Sequence, residues 1–172
     1  MRAVRSIWAI AKAIIIGSVL GSAVHFGSGY LDTLDTVNVR NRAVAHYNTQ
    51  QFRLAVSTFE AAWGAGEPRQ EDRATYADAA TEAGTLAYED AIRSHVGFDD
   101  AYWLLDAAAR HGELDDRRTA YRLDAAICCG EFTAARLLLD ELRAAGSYDG
   151  RIPTLDKKLQ ERLAYTPQLD RR

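Results

Sequence analysis

Residues 125–142 read AAICCGEFTAARLLLDEL, and this stretch decides the fold. Ala125 to Cys129 and Phe132 to Leu142 each carry apolar residues at helical spacing, and Gly130 stands between them where a helix would end. Two helices joined by so short a turn fold back on one another as a hairpin. Ala135, near the start of the second helix, lets the pair approach closely, and Phe132 fills the gap beside it. The pattern recurs. Ala125, Phe132, Ala135, Leu139 and Leu142 have counterparts in Ala91, Phe98, Ala101, Leu105 and Ala108, and again in Ala45, Phe52, Ala55, Phe59 and Ala62. The second and third copies are 34 residues apart and the first and second 46, which is the same period with 12 residues inserted. One such hairpin cannot bury its own apolar stripe, so the copies must stack.

Outward from this template the spacing predicts an all-α chain. Helices are expected over about 36–49 and 53–64, over a long segment of about 70–95 paired with 99–111, and over about 116–129 paired with 133–145. Gly64-Ala65-Gly66-Glu67-Pro68 reads as a loop. His111-Gly112 ends the second pair, and Asp115 or Asp116 can cap the helix that follows. The insertion either lengthens one helix from Ala74 to Ala91 or makes a separate short helix ending at Gly84. The long helix is preferred, because one internal glycine costs only about 1 kcal/mol. After the break at Gly146 to Gly150, Pro153 can open a terminal helix over about 153–164, whose run LDKKLQERL would cap the stack with a polar face. The domain reading is an N-terminal segment 1–31, helical repeats 32–150 and a capping helix with tail 151–172.

The 34-residue period and these columns resemble the tetratricopeptide repeat, in which a first helix ends at a small residue and an aromatic residue opens the second. Gly130-Glu131-Phe132 fits best, Val96-Gly97-Phe98 is displaced by one position, and Gln50-Gln51-Phe52 lacks the glycine. The family's Trp and Leu-Gly signature is missing from the first helices. The resemblance implies an α-solenoid whose first helices line a concave groove for an extended peptide or a partner's helix. Carried over by position, the groove residues are Arg40, Val44 and Tyr47, then Asp90 and Arg93, then Arg117, Tyr121 and Asp124. The family's carboxylate clamp has Asn where Val44 stands, so recognition of a terminal carboxylate is not implied. Trp63 and Trp103 fall on second helices and read as packing residues.

The N-terminal segment has another character. Residues 1–31 hold Arg2, Arg5 and Lys12 and no acid, whereas 32–172 carry 18 basic and 24 acidic side chains. From Ala13 to Leu31 there are 19 uncharged residues, about 28 Å of helix against about 30 Å of bilayer hydrocarbon. Read as a retained single-pass anchor, it puts the N-terminus in the cytoplasm and the repeats outside, in the periplasm or its equivalent. A cleaved signal peptide, a mitochondrial presequence leading to the inner membrane, and a buried core helix are the competing readings. Gly17 and Gly21 form a small-xxx-small face suited to packing against another membrane helix. His25, one turn beyond Gly21, resembles the small-xxx-His arrangement by which light-harvesting antenna helices ligate a chlorophyll. That resemblance implies a tetrapyrrole contact at His25; the competing reading is a neutral histidine at the interface, and no other cofactor is expected.

The rest of the composition narrows the function classes. A net charge of −3 over 172 residues excludes a strongly basic nucleic-acid binder. Thirty alanines against three prolines favour helix. Two adjacent cysteines, Cys128 and Cys129, cannot form a disulfide framework and read as packed free thiols. No phosphate-binding loop, zinc-spaced Cys/His set or nucleophile elbow is present, so neither a catalytic nor a metal site is expected. Acid pairs such as Asp99/Asp100 stand where helices begin and serve the helix dipole. The expectation is a membrane-anchored scaffold or accessory subunit that binds other membrane-complex subunits, or an extended peptide or helix, beside the lipid bilayer. The alternative is a subunit of a bioenergetic or photosynthetic complex with His25 at a tetrapyrrole.

Overall fold

A computed structural model describes residues 37–64, 69–146 and 150–169, and these are all-α, with no strand among them. The helices are α1 (37–48), α2 (Phe52–Trp63), α3 (Arg73–Ser94), α4 (Phe98–His111), α5 (Asp116–Cys129), α6 (Phe132–Ala145) and α7 (Ile152–Leu169). The three template phenylalanines each open the second helix of a pair. The expected membrane anchor, with Gly17, Gly21 and His25, lies outside the described residues. None of the described helices is long and apolar enough to cross a membrane.

The turns show why these pairs form with and without glycine. After α5, Gly130 adopts φ 90° and the Glu131 N–H reaches back to the Ala126 carbonyl at 2.9 Å. The first pair lacks the glycine, yet it closes with the same longer bond. Gln50 takes φ 59° and the Gln51 N–H reaches the His46 carbonyl at 2.9 Å. This six-to-one bond satisfies an orphan carbonyl at the helix end, and it outweighs the cost of about 1 kcal/mol for a side chain in the left-handed region. Between α4 and α5, Asp115 caps as expected, its carboxylate accepting from the Arg118 N–H at 2.7 Å.

The inserted residues mainly lengthen α3, which has 22 residues against 14 in α5. Gly84 lies inside it and is buried, and a Cβ there would stand 2.8 Å from the Leu105 side chain and 3.0 Å from the Leu105 backbone N. At the other end of the same pair a Cβ on Gly112 would meet Ala77 at 2.7 Å. The contacts 77 with 112 and 84 with 105 run in opposite directions along the chain, so α3 and α4 are antiparallel. The glycine inside a helix is therefore the close-approach point of α4.

Each of α2 to α6 packs on the next helix in the chain, and α3 also touches α5, as α5 touches α7. The core divides accordingly. One cluster joins α1 to α4 around Phe59, Tyr76 and Leu104 with many alanines. Another joins α5, α6 and α7 through Leu123, Ile127, Leu138, Leu139, Leu142 and Leu159. Between them Ala101, Leu105, Tyr121 and Ala125 gather on Tyr88.

Two sequence expectations need correction. Ala45 is exposed although its counterparts Ala91 and Ala125 are buried, and α1 buries Ala43 instead. Ala125 packs against the preceding pair of helices, and the matching side of α1 has no such pair among the described residues. Trp103 is 45% exposed and not a core residue, because its column points outward, as Leu137 in the same column of α6 also does. Trp63 does pack, stacked on Phe59 with centroids 5.4 Å apart and edge-on to Tyr76 at 4.8 Å.

Candidate functional site

Side by side, α3, α5 and the start of α7 enclose a cleft of about 620 Å³. Its lining includes Tyr88, Ile92 and Arg93 from α3, Tyr121 and Asp124 from α5, and Arg151 and Leu155 at the α7 end. The floor is aromatic. The rings of Tyr88 and Tyr121 stack with centroids 4.3 Å apart and planes 19° from parallel. This arrangement follows from helix register, since α3 and α5 run parallel and the two tyrosines, 33 residues apart in the chain, fall at nearly the same height.

Beneath the rings lies a charged cluster. Asp124 is buried, and its Oδ2 accepts from the Tyr88 hydroxyl at 2.7 Å while Oδ1 accepts from Lys158 Nζ. Lys158 Nζ also lies 3.1 Å from Cys128 Sγ. Burial, reinforced by the hydrogen bond to the Asp124 carboxylate, pushes the Tyr88 hydroxyl far above the ordinary tyrosine range. Burial would lower the Lys158 ammonium, but its hydrogen bonds to Asp124 and Cys128 outweigh this and leave it raised. Asp124 thus has its charge matched inside the protein and adds little negative field to the cleft. Both cysteines are free, and burial raises the Cys129 thiol.

The rim is cationic on the α5–α7 side. Arg117 Nε donates to the Tyr121 hydroxyl at 2.6 Å, and its guanidinium lies 5.3 Å from the Tyr121 ring centroid. The Arg151 guanidinium lies 5.9 Å from the same centroid. Glu89 approaches Arg117 at 3.9 Å, and exposed Arg93 pairs with Asp90. Pairs this exposed contribute under about 1 kcal/mol each.

Of the eight groove residues expected from sequence, Arg93, Tyr121 and Asp124 line this cleft and Arg117 stands at its edge. Asp90 instead borders a second depression beside Leu54 and Leu86. Arg40 ties α1 to the start of α3 through Asp72 and Glu71. Val44 and Tyr47 pack on the core of the first pair, with Tyr47 edge-on to Phe52 at 5.9 Å. Sequence reasoning missed Tyr88, Ile92, Arg151 and Lys158. The repeat period carried the signal for two of them: Arg151 stands 34 residues after Arg117, and Lys158 stands 34 after Asp124, to which it bonds. Among the described residues no group of His, Cys, Asp and Glu is placed to hold a metal ion. Neither a family model, nor a curated protein, nor a solved structure matches this chain.

Proposed function

We propose that the chain is a membrane-anchored interaction scaffold or accessory subunit of a membrane protein complex, built on a tetratricopeptide-like α-solenoid. The observation that carries this reading is the cleft itself. It is shared by three successive first helices, and contacts between neighbours in it step by about one repeat: Tyr88 to Tyr121 and Asp124 to Lys158. On this reading α7 occupies the place of a fourth first helix, closing the array with its charged outer face toward water. The second helices keep a matching register, since Arg53 pairs with Asp100 47 residues on, at 2.6 Å. Such an array has its function in the surface it holds open rather than in a reacting group.

The membrane part of the proposal rests on the 19 uncharged residues from Ala13 to Leu31 and the charge asymmetry around them. A tether raises the local concentration of the repeats beside membrane partners, so individually weak contacts suffice. The test is mild-detergent capture of the intact chain from its own membranes, with mass spectrometry of what co-purifies, beside Ile92→Asp. Ile92 is 45% exposed, so this change places a charge in the cleft without opening the core. The expected result is a defined membrane-protein set held by the unchanged chain and lost with Ile92→Asp. A chain found in the carbonate-washed soluble fraction, or one recovered alone under several detergents, would overturn the proposal.

A further inference from the structure

We infer that a second pocket, between α2, the start of α3 and α4, binds a methylated ammonium group, as carried by choline or by the choline head group of a lipid. The inference is independent of the partner-binding reading above. The pocket measures about 190 Å³, below the range of about 300–1,000 Å³ usual for drug-sized ligands, so it suits a compact group. Its lining brings together Trp63, Tyr76, Trp103 and His111, with Glu60 and Arg110 beside them. Rings around a small space attract a cation with an apolar skin through their negative faces, and a methylated ammonium is such a cation. The inner wall is fixed by its own packing. Phe59 stacks on Trp63 with centroids 5.4 Å apart, and Tyr76 stands edge-on to Trp63 at 4.8 Å and to His111 at 5.4 Å. Trp103 is different: it is 45% exposed and stacks on none of the described rings. Core packing does not account for its place at this pocket, whereas a guest held between it and the inner wall does. Charge points the same way. Glu60 Oε1 accepts from the Tyr76 hydroxyl at 2.7 Å, and no cation among the described residues forms an ion pair with its carboxylate. Burial, reinforced by that bond, keeps the Tyr76 hydroxyl protonated, so it orients Glu60 without neutralising it. Arg110 is 60% exposed and turned onto Asp106 at 2.9 Å, so water and that carboxylate screen its charge from the guest.

The test titrates choline into the full chain in a maltoside detergent and follows the indole N–H signals of isotope-labelled tryptophan. The signals of Trp63 and Trp103 should shift saturably. Dimethylbutanol, the neutral isostere with carbon in place of the nitrogen, should bind at least fivefold more weakly. Glu60→Gln and Trp103→Ala should each weaken choline about fivefold. Both variants should stay folded, since glutamine can still accept from Tyr76 and Trp103 is exposed, and an unchanged thermal midpoint checks this. A soluble short-chain phosphatidylcholine separates the two sources of the group: binding tighter than choline assigns the lipid head group, and weaker binding assigns a free quaternary ammonium. No saturable shift with either ligand, equal binding of the neutral isostere, or folded variants that bind choline as the unchanged chain does would overturn the inference.

Discussion

Across the α3–α4 pair the helices meet through Gly84 against Leu105 and Ala77 against Gly112, with Ala101 and Ala108 fully buried beside them. Across α5–α6 the column of Ala108 is filled by Leu142, which clusters with Leu139, Leu123, Ile127 and Leu138. One repeat pattern therefore supports two kinds of interface, one closed by backbone proximity and the other by side-chain volume. They should fail in opposite ways: the first resists enlargement and the second resists truncation.

The largest effect is expected from truncation in the leucine-filled pair. Leu123→Ala, at a fully buried site, should cost about 3 kcal/mol in urea unfolding. The matching enlargement in the glycine-closed pair is Gly84→Ala. Alanine's helix propensity would stabilise by about 1 kcal/mol, but the methyl would stand 2.8 Å from Leu105, so a net loss of about 1–2 kcal/mol is expected. Combining it with Leu105→Ala should recover about 1 kcal/mol relative to additivity, and strict additivity would show that the two residues do not meet.

The turns sharpen the same comparison on a smaller scale. Gly130→Gln should cost about 1 kcal/mol, because it puts a side chain at φ 90°. Gln50→Gly should instead stabilise by about 0.5 kcal/mol, since the first pair already holds a side chain in that region. Effects of the same sign at both sites would contradict the equivalence of the two turns.

Between the two interfaces, the Tyr88–Asp124–Lys158 cluster gives a pH signature. Tyr76, Tyr88 and Lys158 all have raised folded values. For each, the folded state favours the protonated form, so the stabilisation is complete below the unfolded value and fades as pH climbs toward the folded one. Thermal stability should hold to about pH 10, the ordinary tyrosine value, and then fall. Tyr88→Phe should make the fall shallower.

Much of the fold was legible in the sequence because the signal is local. A phenylalanine opens each second helix and a small residue follows it by three, so the described helices begin and end within about three residues of expectation, apart from the C-terminal end of α7. Even the long helix through Gly84 could be read, although the reason for the glycine lies in Leu105, 21 residues on. The cleft was legible only in part. Arg93, Tyr121 and Asp124, carried over from the resemblance, line it, but Val44 and Tyr47, carried over in the same way, pack on the core, since whether a side chain faces groove or core depends on which neighbours its helix has. Tyr88 and Lys158 are defined by partners 36 and 34 residues away, and only the repeat period connects them.

The most direct test of the proposed partner binding through the cleft is hydrogen–deuterium exchange of the full chain, with and without its captured partner. Added protection should fall on the second half of α3, on α5 and on the start of α7. Protection centred instead on the outer face around Trp103 and Leu137, or no partner-dependent protection in the repeats, would contradict it.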